Sequence, residues 1–186
     1  MARELPKEIL LIDVWANCAK ELARVGACER AQVACILTPP DLSLPIGVGY
    51  NGPASGLPNK CARPDEPGNC GCVHAEANAC IKAPVGPKWA FITIPPCERC
   101  AAMMVNAGVE CVVYSSATAH RGGLHGGMDL LDRLGITHGT PEQIIEQLLN
   151  MSVEEESTDS RVLGQEPWEA EDFMAAKAQT SRFADE

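Results

Sequence analysis

The sequence predicts an α/β domain in which helices cover the faces of a mixed or parallel sheet. Three observations carry that prediction. From residue 74 onward, helix-period and strand-period segments alternate, which implies crossover connections. Upstream, two apolar runs flank the turn-forming stretch TPPDLS as the arms of a hairpin would. The chain has 186 residues, 46% apolar but only 4% aromatic. That length lets a single domain bury a core of Ala, Val, Leu, Ile and Cys without disulfide staples.

The elements follow in order. In LPKEILLIDVWANCAKELARV, Leu5, Ile9, Ile12, Ala16, Ala19 and Ala23 recur at helical spacing, with Lys7, Glu8, Lys20 and Glu21 elsewhere on the wheel, and the helix ends near Gly26. AQVACIL and LPIGVGY read as the two hairpin strands. NGPASGLPNKCARPDEPGNCGC is too long and too rich in Pro, Gly and Asn for a plain connector, so a functional or metal-bound loop is expected. HAEANACIK reads as a helix, WAFITI as a strand bounded by two prolines, CERCAAMMVNAG as a helix with a Gly stop, and VECVVYS as a strand. GGMDLLDRLG and TPEQIIEQLLNM read as two short helices, the second with Thr140 as N-cap and Pro141 in the first helical position. Residues 1–150 make the domain and residues 151–186 an acidic extension. The stretch from SVEEESTDS onward is poor in core residues and is expected to be solvated. Its end, WEAEDFMAAKAQTSRF, reads equally as a helix docking through Trp168, Phe173 and Met174 or as a disordered tail.

Charge and composition narrow the function. The net charge is -10, and residues 150–186 hold ten acids against three bases. The remainder has no basic stripe to neutralise a polyanionic backbone, and the few aromatics leave little surface for stacking bases, so nucleic acid is not expected as the partner. A small anion needs only a few local Lys or Arg. No apolar run reaches membrane-spanning length, and MARELPKEIL has no hydrophobic signal-type core, so a cytoplasmic protein is expected. In a reducing compartment the ten cysteines argue for metal ligands or small buried hydrophobes rather than disulfides.

Two short patterns carry the chemistry. His74-Ala75-Glu76 opens one helix and Pro96-Cys97-Glu98-Arg99-Cys100 opens the next. Cys97 and Cys100, three apart in a first turn, project to one side, where free N–H groups and the helix dipole favour thiolate. With His74 they make three protein ligands and leave a fourth tetrahedral position for water, the layout of a catalytic zinc site. Glu76 can reach that water without reaching the metal, which suits a proton shuttle. Alone, the CxxC reads equally as a structural zinc half-site or a redox pair, and an HxE by itself is weak. Together they match the zinc-deaminase signature.

GVGYNGPASGLPNKC, GCVHAEANACI, PCERCAAMMVNAGVECVVY and the later LLDRLGI resemble the deoxycytidylate (dCMP) deaminases of the cytidine deaminase superfamily, over roughly residues 5–137. The resemblance implies a three-layer α/β/α sandwich with a mixed five-stranded sheet. It implies hydrolysis of dCMP to dUMP and ammonia, with zinc-activated water adding at C4 and the product feeding thymidylate synthesis. It further implies zinc on His74, Cys97 and Cys100, with Glu76 as the proton shuttle and Asn51 on the sugar or base. Read without the family, Asn51-Gly52 is simply a turn. Asn78 either contacts nucleotide or braces its helix, and Tyr114 either lines the pocket or packs. Arg121 is the first candidate for the phosphate, followed by Lys60 and Arg63, each of which also reads as a surface charge; His120 and His125 are equally ambiguous. Hexamers activated by dCTP with Mg2+ and inhibited by dTTP occur in this family, so a homo-oligomer with those effectors is an expectation.

Cys28, Cys61, Cys70 and Cys72 resemble the extra cysteines with which some members hold a second, structural zinc, pinning a loop that has little core of its own. Cys18, Cys35, Cys80 and Cys111 fall on apolar faces and are expected to pack. Two rival readings stand beside this one. A deaminase of another base, such as a 5-substituted cytosine nucleotide or adenosine in tRNA, is disfavoured for tRNA by the acidic surface. A zinc-stabilised binding module without catalysis would have no use for Glu76.

Overall fold

The computed structural model describes residues 6–28, 30–66, 70–116 and 126–158. The elements are α1 (Lys7–Ala23), β1 (Ala34–Thr38), β2 (Gly47–Tyr50), α2 (Ala75–Cys80), β3 (Lys88–Ile92), α3 (Glu98–Asn106), β4 (Val109–Tyr114), α4 (Gly127–Arg133), β5 (Thr137–Gly139) and α5 (Pro141–Thr158). The strands form one sheet in the order β2-β1-β3-β4-β5. β1 runs antiparallel to both β2 and β3, while β3, β4 and β5 are parallel. The sheet is therefore mixed and five-stranded, with helices on both faces. Among the described residues no helix is long and apolar enough to cross a membrane.

Strand side chains alternate between the two helix layers, as the pleat requires. Ile36, Phe91, Cys111 and Val113 pack on one face with Ile9, Ile12 and Ala16 of α1 and with Ile144, Ile145 and Leu149 of α5. Cys35, Leu37, Ala90, Ile92, Val112 and Tyr114 pack on the other with Ala75 and Ala79 of α2, Ala101 and Met104 of α3, and Leu131 of α4. The small residues on this second face let α2 lie close to the sheet. Gly47 and Gly49 make that approach possible: a Cβ on Gly49 would come 2.3 Å from Ala75 O and 2.5 Å from Ala79 N.

Several expectations need correction. β5 has no strand signal in the sequence, being three residues long with a glycine at its end. α5 continues through Thr158 instead of stopping near Met151; Glu154, Glu155 and Glu156 are good helix formers, and neither Pro nor Gly interrupts them. Its start is as expected, with Thr140 Oγ1 accepting from Gln143 N–H at 3.4 Å and Gln143 Oε1 accepting from Thr140 N–H at 2.8 Å, a reciprocal cap. Residues 159–186, including Trp168, Phe173 and Met174, lie outside the described residues. Cys18 is exposed because it falls off the α1 stripe of Ile9, Ile12, Ala16, Ala19 and Ala23. β3 begins one residue early, at Lys88, which is fully buried. Its ammonium donates to the carbonyls of Gly86 and Ala107, the latter being the C-cap of α3. Satisfying those carbonyls offsets part of the cost of burying a charge.

Candidate metal centre and active site

Two helix starts converge on one point. His74 is the N-cap of α2 and Cys97 the N-cap of α3, both with extended backbone. His74 Nδ1 lies 3.7 Å from Cys97 Sγ and 3.4 Å from Cys100 Sγ. All three atoms lie within 4.8 Å of one another. A tetrahedral zinc with Zn–S about 2.3 Å and Zn–N about 2.05 Å sets its sulfur and nitrogen ligands about 3.6 Å apart. The donor set and its spacing therefore fit zinc.

Electrostatics single out one of the three donors, Cys97, as ready to ionise. Hydrogen bonding from Cys100, then from His74, outweighs burial and pulls the Cys97 thiol down to about 4. Cys100 is pushed up by Cys97 and by burial, so Cys97 is the first of the pair to ionise. The His74 imidazole is raised, chiefly by its hydrogen bond to Cys97. Glu76, 3% exposed, sits two residues past His74. Burial raises its carboxyl above the usual range, although a hydrogen bond from its own backbone N–H, the charge of His74 and a hydrogen bond from Cys100 work the other way. A carboxyl held protonatable beside a cluster of metal donors has the character of an acid–base group. Cys35, wholly buried on β1, is pushed up by burial and then by the charge of Glu76, which places it as a neighbour of the carboxylate that the sequence reading had assigned only to packing.

The long loop closes beside this cluster. Gly52 and Val73 exchange two backbone hydrogen bonds, of 3.1 and 2.7 Å, and so tie the residue after Asn51 to the residue before His74. Asn51 is buried; its Oδ1 accepts from Val33 N–H at 2.9 Å and its Nδ2 donates to Ala31 O at 2.7 Å. Among the described residues, those bonds leave one lone pair and one N–H of its amide. Asn78 Nδ2 donates to Tyr50 O at 2.9 Å, and Lys82 Nζ donates to Val48 O at 2.9 Å. Both carbonyls point away from β1, so the two side chains cover the open edge of the sheet and brace α2 against β2. Tyr114 ends β4 on the face that carries α2 and α3, and burial raises its hydroxyl pKa.

The cationic candidates are less well placed. Arg63 pairs with Glu66 at 3.7 Å, both about half exposed, and Lys60 is exposed. Arg121, His120 and His125 lie outside the described residues. A second thiol cluster joins Cys61, Cys70 and Cys72, whose sulfurs lie within 4.8 Å of one another. Gly71 between the last two has φ +82°, a conformation that suits glycine. Burial opposes ionisation of Cys70, but hydrogen bonds from Cys72 and Cys61 and the charge of Arg30 outweigh it and lower its pKa. Cys72 is pushed up to about 12 by burial and by Cys70. Cys28 is buried but stands outside that group, lining a shallow depression with Gly26, Arg30 and Gln32.

Comparison with known proteins decides the family. Residues 12–116 match the family model for the cytidine and deoxycytidylate deaminase zinc-binding region. The chain belongs to this family. Membership makes it a zinc-dependent hydrolase of the deaminase type. No curated protein matches the chain in a sequence search. Among solved structures, the deaminase is similar to the dCMP deaminase of cyanophage S-TIM5 in complex with dCMP and dUMP, with 27% identity, TM-score 0.62, and coverage of 74% of this chain and 99% of that one. The apo form of the same phage enzyme gives 28% identity, TM-score 0.58, and coverage of 72% and 98%. Acinetobacter baumannii RibD shares the fold at 24% identity and TM-score 0.54, the match covering 72% of this chain and 36% of RibD. The mixed five-stranded sheet between helices is the fold of these neighbours.

Proposed function

We propose that this deaminase hydrolyses dCMP to dUMP and ammonia at a zinc held by His74, Cys97 and Cys100. The observation that carries the reading is the convergence of those three donor atoms within 4.8 Å next to a buried Glu76. The similarity to the cyanophage dCMP deaminase supports the substrate class. A zinc ion held there supplies Lewis-acid chemistry, bringing the pKa of a water from about 15.7 toward 7.

Glu76 takes the proton of the attacking water as its oxygen adds to C4 of cytosine, and delivers it to the ring nitrogen N3. It then takes the remaining proton from the new C4 hydroxyl and passes it to the exocyclic amine; C4=O forms as the C4–N4 bond breaks, and ammonia leaves. Asn51 offers its remaining lone pair and N–H to the sugar or base, in a position fixed by Val33 and Ala31. Asn78 contributes through its hydrogen bond to Tyr50, which holds the start of the Asn51 turn. Tyr114 lines the rim, and Arg121 is the proposed phosphate partner.

Cys61, Cys70 and Cys72 are proposed to hold the structural zinc, which would pin the loop leading into His74. The extension to the deaminase domain is proposed to follow α5, which carries the chain through Thr158. The enzyme is proposed to work in the cytoplasm as a homo-oligomer, a hexamer by family resemblance, with dCTP and Mg2+ activating it and dTTP inhibiting it. A dCMP saturation curve that stays hyperbolic and unchanged by dCTP would remove that regulation. The substrate test is ammonia release from cytidine, dCMP, dCTP and 5-methyl-dCMP by zinc-loaded protein. The expected result is fastest release from dCMP; release from none of the four would overturn the reading, and preference for 5-methyl-dCMP would redirect it.

A further inference from the structure

His138 takes part in no expectation drawn from the sequence and in no step of the deamination. It stands in β5 opposite Val112 of β4, and Val112 packs under the helices that carry the metal donors. His138 therefore faces the layer of α2, α3 and α4. Its ring centroid is 6.2 Å from that of Tyr114. Its Nε2 lies 3.0 Å from Asp132 Oδ1 at the far end of α4. Among the described residues its Nδ1 is buried and has no hydrogen-bond partner. That combination fixes the tautomer. With the proton on Nε2 the ring donates to the carboxylate and leaves only a lone pair unpaired, whereas a proton on Nδ1 would bury an unpaired N–H and set a lone pair against Asp132.

The bond holds α4, which is short and buries only Gly127 and Leu131. Its N-terminal end presses on the turn that carries a metal donor. A Cβ at Gly127 would lie 1.9 Å from Pro96 O and 3.0 Å from Cys97 C, so the helix rests directly on that backbone. One end of α4 thus abuts Pro96-Cys97, and the other is tied through Asp132 to a ring that is only 13% exposed. We infer that His138 is a positioning residue for the metal centre: through Asp132 and α4 it fixes the Pro96-Cys97 turn, and through its ring contact it fixes Tyr114. The inference rests on the reading of Cys97 as a metal ligand.

The test is a chelator challenge of the zinc-loaded full chain, following the phase of zinc release that Cys97→Ser abolishes. Asp132→Ala changes a side chain that is 71% exposed, so it tests the tie without hollowing the core. Asp132→Ala and His138→Ala should each speed that phase about tenfold, the low end of what outer hydrogen-bonding partners of metal ligands contribute. The double variant should be no faster than the faster single. His138→Gln, which restores an amide donor, should return the rate to within about twofold of wild type. Ile145→Val, in the core on the opposite face of the sheet, should lower the melting temperature without speeding release. Release unchanged in Asp132→Ala and His138→Ala, or rising only as melting temperature falls, as in Ile145→Val, would overturn the inference while leaving the metal centre intact. A wild type with no Cys97-dependent zinc would remove both together.

Discussion

Gly49→Ala tests how closely α2 must lie on the sheet for the centre to form. The added methyl would stand 2.3 Å from Ala75 O, 2.5 Å from Ala79 N and 2.8 Å from Asn78 C, against 3.4 Å or more for ordinary contact. All three atoms are backbone of one short helix, so no side chain can swing aside. The helix must retreat as a body by about 1 Å, and His74 and Glu76 travel with it. Overpacking of this kind costs about 1–3 kcal/mol. That loss stands against the roughly 0.5–1 kcal/mol that replacing glycine by alanine within a strand would otherwise contribute. An ångström of displacement at reacting groups costs about 100-fold in rate. Urea unfolding measures the first effect, and initial rates of dCMP deamination at equal zinc content measure the second. Gly56→Ala is the contrast: φ is +91° but no atom of the described residues lies within 4 Å of the added methyl, so it should lose about 1 kcal/mol to backbone strain and keep its rate. Gly49→Ala with wild-type midpoint and wild-type rate would refute the reasoning.

Other perturbations read different parts of the structure. Asn51→Ala leaves Val33 N–H and Ala31 O without their partner and should cost about 2–4 kcal/mol by calorimetry, apart from any effect on KM. Thr140→Ala removes half of the cap at the start of α5 and should cost about 1 kcal/mol in thermal or urea unfolding, with activity unchanged. Cys97→Ser and Cys70→Ser should each remove one equivalent of zinc by elemental analysis, but only the first should abolish ammonia release at a temperature where both variants are folded. If Cys70→Ser loses no metal, the second zinc is absent.

Much of the fold was legible because its signals are local. Ile9, Ile12, Ala16, Ala19 and Ala23 repeat at helical spacing and are the residues α1 buries. Thr140-Pro141 marks the start of α5 through a cap that the chain makes with its own next turn. The convergence of His74, Cys97 and Cys100 was legible for a different reason: two helix starts, each bearing donors, flank one strand. Partnerships made across the sheet were not legible. Asn51 spends half of its amide on residues 31 and 33, and Asn78 caps an edge carbonyl, neither of which any local pattern encodes. Lys88 lies just before the expected strand and carries no sequence signal of burial, yet it is buried, and the carbonyls of Gly86 and Ala107 meet its ammonium. β5 is too short to show a period, so His138 and its tie to Asp132 carried no signal at all.

The central claim is that a zinc site built from His74, Cys97 and Cys100 uses Glu76 to move protons during hydrolysis of dCMP. The most direct measurement is ammonia release from dCMP by wild type and by Glu76→Gln, with bound zinc quantified in the same samples. Glutamine keeps the size and burial of the side chain but cannot accept the proton of the attacking water. The account predicts equal zinc in both proteins, rapid conversion by wild type, and loss of at least about 100-fold in kcat for Glu76→Gln. Equal zinc with equal rates, or a zinc-loaded wild type that leaves dCMP intact, would contradict it.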